Sequence, residues 1–231
     1  MRARPPSRLL PRPKPLAPRY DVVIIGGGGH GLAAAYYLAK DHGIRDVAVI
    51  EKGYLAGGNT ARNTAIVRSN YLTPEGVAFY AESVALFQGL SQELDFNIMY
   101  SERGHLTLAH TDAALRTSRW RAEVNKHLGV DSELIGPDDI RRICPALNLS
   151  GEARYPILGA LYHPPGAIVR HDAVAWGYAA AAARMGVAIH TNTKVTGILK
   201  QGSRAVGVET TRGTVHADRI LQAVAGSSTL L

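Results

Sequence analysis

The chain has 231 residues, 46% hydrophobic and 19% charged, with a net charge of +7, an ordinary globular composition with enough length for one large domain or two small ones. Six of its 26 basic residues, Arg2, Arg4, Arg8, Arg12, Lys14 and Arg19, precede the first acid, Asp21, leaving 20 basic against 19 acidic residues, so a nucleic-acid-binding body is not expected. Cys144 is the one cysteine; a disulfide framework and a thiolate metal cluster are both out of reach, a small core filler is its plain reading, and a reducing cytoplasm is the expected compartment.

Residues 1–19 hold those six cations together with Pro5, Pro6, Pro11, Pro13, Pro15 and Pro18. Such a segment forms neither helix nor core and is predicted to be a disordered tail. It has no apolar stretch of a secretory signal, and its prolines spoil the amphipathic helix of a transit peptide.

The run Val22-Val23-Ile24-Ile25 is β-branched and apolar, as a buried parallel strand requires. Gly26, Gly28 and Gly31 then form G-x-G-x-x-G, and residues 32–40, rich in Ala and Leu, read as a helix. The first glycine allows the tight turn, the second admits a pyrophosphate to the backbone N–H groups, and the third lets helix and strand pack. The helix N-terminus favours the phosphate charge. A second apolar run, 47–50, ends in Glu51, about twenty residues on, where a carboxylate can take both ribose hydroxyls. Strand, glycines, helix, strand and acid occur in order, so the pattern predicts dinucleotide binding. A Gly-rich turn of an unrelated α/β protein is the bland alternative. A membrane span over the nearly uncharged 22–39 conflicts with four consecutive glycines, His30 and the flanking Asp21, and no membrane contact is expected.

Residues 52–64 are polar and Gly-rich, which is loop chemistry. Val77, Tyr80, Ala81, Val84, Ala85, Phe87 and Leu90 set an amphipathic helix over 74–94. Residues 105–110 alternate as a strand does. Thr111 and Asp112 open a helix over 111–128, and Pro137 with Asp138 and Asp139 opens a short one. A strand is expected over 159–162, an Ala-rich helix over 172–185 with Asp172 as its cap, and a strand over 187–191. Four short runs, 195–199, 205–211, 214–217 and 219–223, read as a β-meander with turns at Gln201-Gly202 and Arg212-Gly213. His163, His190 and His216 show no metal spacing, and no metal site is expected.

This order differs from that of a nicotinamide domain, which would continue with further βαβ units. It looks like the glutathione-reductase-type FAD fold: an α/β, Rossmann-like FAD-binding domain over 20–72 and 166–231, around part of an inserted α+β substrate domain over 73–165. Three stretches carry a closer resemblance: Gly29-His30-Gly31, residues 57–71, and Ile168-Val169-Arg170-His171-Asp172 with the following 173–176. Together they resemble the β subunits of heterotetrameric sarcosine oxidases, in the D-amino-acid-oxidase superfamily of FAD-dependent amine oxidases.

The resemblance implies a non-covalent FAD that oxidises sarcosine, a covalent FMN on a β-subunit histidine that passes electrons to oxygen, and partner subunits of α, γ and δ type. Family members run well beyond the meander, whereas this sequence stops at residue 231, so it is expected to be an N-terminal fragment, truncated at the C-terminus and inactive alone. By family position Asn59, Thr60, Thr64 and Ile66 would line the FAD, with Gly29 and His30 contacting it through backbone and Val195 offering backbone contacts to adenine. Loop polarity, an ordinary turn residue and a core valine are the plainer readings of these positions.

Arg68 follows Ile66 and Val67. A guanidinium in that context needs an anion, which a substrate carboxylate held bidentately or a structural ion pair would supply. His171, at the start of the Ala-rich helix, is assigned the FMN by the resemblance; locally it is also an ordinary first-turn residue. The expected activity is oxidation of sarcosine to glycine and a one-carbon unit with peroxide formation. The alternatives are a dimethylglycine or D-amino-acid dehydrogenase, or a non-catalytic flavin-binding subunit.

Overall fold

The computed structural model describes residues 14–230. In chain order the elements are β1 (Arg19–Ile25), α1 (Gly29–Asp41), β2 (Val47–Ile50), β3 (Ile66–Val67), α2 (Pro74–Glu93), β4 (Ser101–Glu102), β5 (His105–Ala109), α3 (Asp112–His127), β6 (Glu133–Ile135) and α4 (Pro137–Ile143). Then follow β7 (Gly159–His163), β8 (Ala167–Ile168), α5 (His171–Arg184), β9 (Ala188–His190), β10 (Val195–Gln201), β11 (Arg204–Thr210) and β12 (Gly213–Gln222). Single 3-10 turns occur at Asn59–Arg62 and Ala225–Leu230.

Two compact units result. The first joins the chain up to Thr64 with Gln92–Ile98 and the chain from Arg170; the second joins Ala65–Ser91 with Met99–Val169. β3 pairs with β8, Ile66 opposite Ile168, and β8 pairs in turn with β4, so all three strands lie in the second unit.

The first unit is built on a six-stranded sheet in the order β10-β11-β12-β1-β2-β9. β1, β2 and β9 run parallel, and Val23, Ile24, Ala48 and Val49 are wholly buried. This is the environment a continuous apolar run anticipates. α1 buries Leu32, Ala35, Tyr36 and Ala39, one stripe at helical spacing. α5 packs against α1 and is buried nearly all round, from Val174 to Ala182, which its alanines permit.

The last two runs of the expected meander form one strand. The first part of β12 pairs antiparallel with β11 and the rest parallel with β1, Ile220 lying opposite Val23. Asp218 looks like a break between them, but its carboxylate pairs with the Arg19 guanidinium. A second correction concerns α5. Its cap is Arg170, which makes no side-chain cap bond, while Asp172 lies inside the first turn and accepts from Arg170 Nη2 at 2.6 Å. A carboxylate there still suits the helix dipole, and the guanidinium holds its pKa below the ordinary value.

Most of the basic tail, residues 1–13, lies outside the described residues. Residues 14–19 are placed rather than loose. Lys14 Nζ donates to the Gly186 carbonyl at 3.1 Å, Leu16 and Ala17 pack on the core, and Arg19 opens β1. Proline removes a donor but keeps its acceptor, and the Pro18 carbonyl accepts from His216 N–H at 2.8 Å.

The second unit holds two three-stranded sheets, β3-β8-β4 and β5-β7-β6. Ile135, Ile140 and Ala160 form a small core with Leu106, Leu108 and Leu147 around it. α3 is capped by Thr111, whose hydroxyl accepts from Ala114 N–H at 3.1 Å.

Candidate functional site

The turn after β1 is shaped by close approaches. Gly26 has φ +111°, and a Cβ there would sit 2.4 Å from the Ala223 carbonyl oxygen. A Cβ on Gly31 would meet the Gly26 carbonyl oxygen at 2.0 Å. Gly31 therefore packs α1 onto β1, as expected of the third motif glycine. Gly28 is different: a Cβ there would meet only Thr60 Oγ1, at 3.2 Å, so the backbone is bare toward open space.

That space is a cleft of about 1000 Å³ in the first unit. Of the expected positions, Gly26, Gly28, Gly29, His30, Glu51, Asn59, Thr60 and Val195 line it. Thr64, Ile66, Arg68 and His171 are not among its lining residues, and Gly31 stands behind it. The sequence reading missed Lys52, Tyr54, Arg62, Lys194 and the turn 223–227, which also line it. Gly53 and Asn63 signalled only loop; the 223–227 contribution depends on Ala223 N–H donating to the Ile25 carbonyl, a pairing visible only in the fold.

The cleft fits a dinucleotide. Leu32 N–H makes the first bond inside α1, to the Gly28 carbonyl, and the Gly27 carbonyl is taken by Ala56 N–H. His30 and Gly31 N–H thus have no acceptor within the helix, where the dipole favours an anion. Gly29 N–H donates to Thr60 Oγ1 at 2.9 Å, which leaves the Thr60 hydroxyl proton available to a phosphate. The Glu51 carboxylate accepts from Gly27 N–H and Gly53 N–H, both at 2.8 Å. Each oxygen retains a lone pair for a ribose hydroxyl. Replacing Glu51 with Gln turns an NH₂ toward one of these donors. Dinucleotide affinity should fall by about 1–3 kcal/mol; a fluorescence titration giving wild-type affinity would contradict this role.

The second unit holds the other expected site residue. Arg68 lies just beyond β3. Its Nη1 donates to Asn70 Oδ1 at 2.9 Å, and its guanidinium sits 4.4 Å from the Tyr71 ring centroid. Tyr71 in turn stacks on Tyr80 at 3.9 Å. No carboxylate pairs with Arg68 among the described residues. His163, wholly buried, fixes this segment: its Nδ1–H donates to the Asp131 carbonyl at 2.6 Å and its Nε2 accepts from Ser69 N–H at 3.3 Å. That pattern requires a neutral ring.

Burial pushes the pKa of His163 down, as it does for His105 and His190. Below about pH 6.5 the unfolded chain takes up protons that these three folded imidazoles resist. Their stabilising contribution is complete above that pH and declines as pH falls toward the folded values. The melting temperature should therefore drop between about pH 7 and pH 5; a flat profile there would refute neutral burial.

His171 occupies the first turn of α5. Its Nδ1 is buried and has no hydrogen-bond partner among the described residues. Among the described residues no three of His, Cys, Asp or Glu group as a metal site, and no helix is long and apolar enough to cross a membrane.

Comparison with known proteins adds the following. The sequence model of the family described as DAO, FAD dependent oxidoreductase, matches residues 21–231. The sarcosine oxidase subunit beta of an Arthrobacter species is 52% identical over 98% of this chain and 56% of its own length. The protein of that name from Rhodobacter capsulatus is 48% identical over 96% of this chain and 52% of its own. The chain thus spans about half the length of these relatives. Among solved structures, L-proline dehydrogenase from P. horikoshii superposes with a TM-score of 0.85 at 27% identity, over 94% of this chain and 55% of its own.

Proposed function

Because the chain belongs to the FAD dependent oxidoreductase family, we propose that it is part of a flavoenzyme that oxidises sarcosine, acting as the β-type subunit of a larger assembly. The observation that carries this reading is the match of nearly the whole chain to two sarcosine oxidase β subunits. The cleft residues would hold FAD, which would supply the redox chemistry for converting sarcosine to glycine and a one-carbon unit.

The chain's own residues bind and orient. The backbone from Gly28 to Gly31 and the Thr60 hydroxyl receive the pyrophosphate, and Glu51 receives the ribose. Arg68 holds the substrate carboxylate, with Nη1 tethered by Asn70 and its remaining N–H groups available for a bidentate contact. Tyr71 limits the motion of the guanidinium and keeps it oriented. The reading extends to partner subunits of α, γ and δ type and to a cytoplasmic assembly that forms hydrogen peroxide.

Its test is amine-dependent peroxide formation by the assembled protein across sarcosine, dimethylglycine and a D-amino acid. Sarcosine should give the highest kcat/KM. Preference for dimethylglycine or a D-amino acid would replace the substrate, and no turnover of any amine by a fully flavinylated assembly would favour a non-catalytic subunit.

His171 is the attachment point proposed for a covalent FMN. Bond formation needs a ring nitrogen with a free lone pair, and the buried, unpartnered Nδ1 shows a ring not committed to another side chain. After denaturation and precipitation of the assembled protein, one FMN mass should remain on the peptide containing His171. His171→Ala should abolish it. Full release of all flavin would favour a single-flavin relative.

A further inference from the structure

Asn70 is completely buried and gathers two guanidinium groups. Its Oδ1 accepts from Arg68, and its carbonyl oxygen accepts from Arg121 Nη2 at 2.8 Å. Arg121 lies on α3, which Asn125 ties to the same segment by donating to the Tyr71 carbonyl at 3.3 Å. Like charges so placed repel: burial first, and then Arg68, lowers the pKa of Arg121. Neither arginine forms an ion pair with a carboxylate among the described residues.

The neighbouring groups do not compensate. His105 is held toward neutrality by burial, with Arg68, His163 and Arg121 adding to the effect. Glu102 is near enough to act on His163, but its carboxylate accepts from Tyr100 Oη and Gln88 Nε2, both at 3.1 Å. Two donors remain unspent: Arg121 Nε and Asn70 Nδ2 are buried with no hydrogen-bond partner. A purely structural arginine would use its fork against an acid or a set of carbonyls. Two partly buried cations with unused donors and no acid beside them among the described residues suit an anion.

We propose that Arg121 is the second cation of the substrate-carboxylate site, so that the anion is bracketed by the Arg68 and Arg121 guanidinium groups. The inference rests on the reading of Arg68 given above and deepens it. The ligand class is a small amino acid presented by its carboxylate. An amine of the same shape without the carboxylate leaves both cations unpaired and is rejected strongly, because a site built for a polar group discriminates against its absence.

The test uses the FAD-loaded chain with ¹⁵N-labelled arginine and methoxyacetate, a sarcosine isostere that cannot be oxidised at nitrogen. The Nε–H signals of Arg68 and Arg121 are assigned by their loss in Arg68→Lys and Arg121→Lys. Both signals should move with one common midpoint, and Arg121→Met should weaken binding by about 30-fold. Movement of the Arg68 signal alone, with Arg121→Met binding as wild type, would overturn the role of Arg121 and leave Arg68 in place. No movement of either signal in FAD-loaded protein would remove the carboxylate site altogether. The wild-type titration decides the matter even where Arg121→Met fails to fold.

Discussion

Gly31→Ala is expected to unfold the FAD-binding unit or to shift its melting point sharply. The new Cβ would lie 2.0 Å from the Gly26 carbonyl oxygen and 3.3 Å from Ile24 Cγ2. Neither can yield easily. Gly26 is held by its N–H donating to the Ile50 carbonyl at 2.9 Å, and Ile24 is wholly buried in β1. α1 must therefore move away from β1, losing burial of Leu32 and Ala35, at about 3 kcal/mol or more. Gly28→Val separates folding from binding. Its Cβ faces the cleft and meets only Thr60 Oγ1, so the fold should survive while the branched side chain occupies the pyrophosphate's place. Thermal melts with flavin retention check both. A Gly31→Ala protein as stable as wild type, or a Gly28→Val protein that keeps its FAD, would contradict the description of this turn.

Arg68→Ala is expected to raise the KM for sarcosine by an amount equivalent to about 2–5 kcal/mol, measured in the complete assembly. Two effects combine. In the role proposed for Arg68, the substrate would lose its bidentate partner, and its carboxylate would enter a partly buried place with one charge fewer to receive it. The truncation also frees Asn70 Oδ1 and uncovers the Tyr71 ring. Because the guanidinium lies over the Tyr71 ring and is tethered to Asn70, Arg68→Lys should rescue the charge but not the planar fork, and recover only part of the KM. Steady-state kinetics with an unchanged KM, in protein shown to be folded, would remove Arg68 from the site.

The glycine turn was legible because its constraints are local. Gly26, Gly28 and Gly31 are demanded by atoms within one strand–turn–helix, and Glu51 by the end of the next strand. The rest of the cleft is not local. Lys194 and the turn at Ala223 reach it through sheet pairings with β1 and β2 that span most of the chain, and no short window contains them. The runs 214–217 and 219–223 read as separate for the same reason: only pairing with β11 and then with β1 makes them one strand through Asp218. Asp172 was a sound cap by residue type, but the helix begins one residue earlier, at His171, with Arg170 as its cap. Arg121 carried no signal at all. On an amphipathic helix it reads as a solvated charge, and only the position of Asn70 shows otherwise.

The most direct measurement of the central claim is anaerobic mixing of sarcosine with the FAD-loaded assembled protein while visible flavin absorbance is followed. The account predicts that sarcosine bleaches the flavin in a single turnover and that Arg68→Ala needs a far higher sarcosine concentration to do so. A flavin that stays oxidised at saturating sarcosine, or a cleft that takes up NAD and refuses FAD, would contradict it.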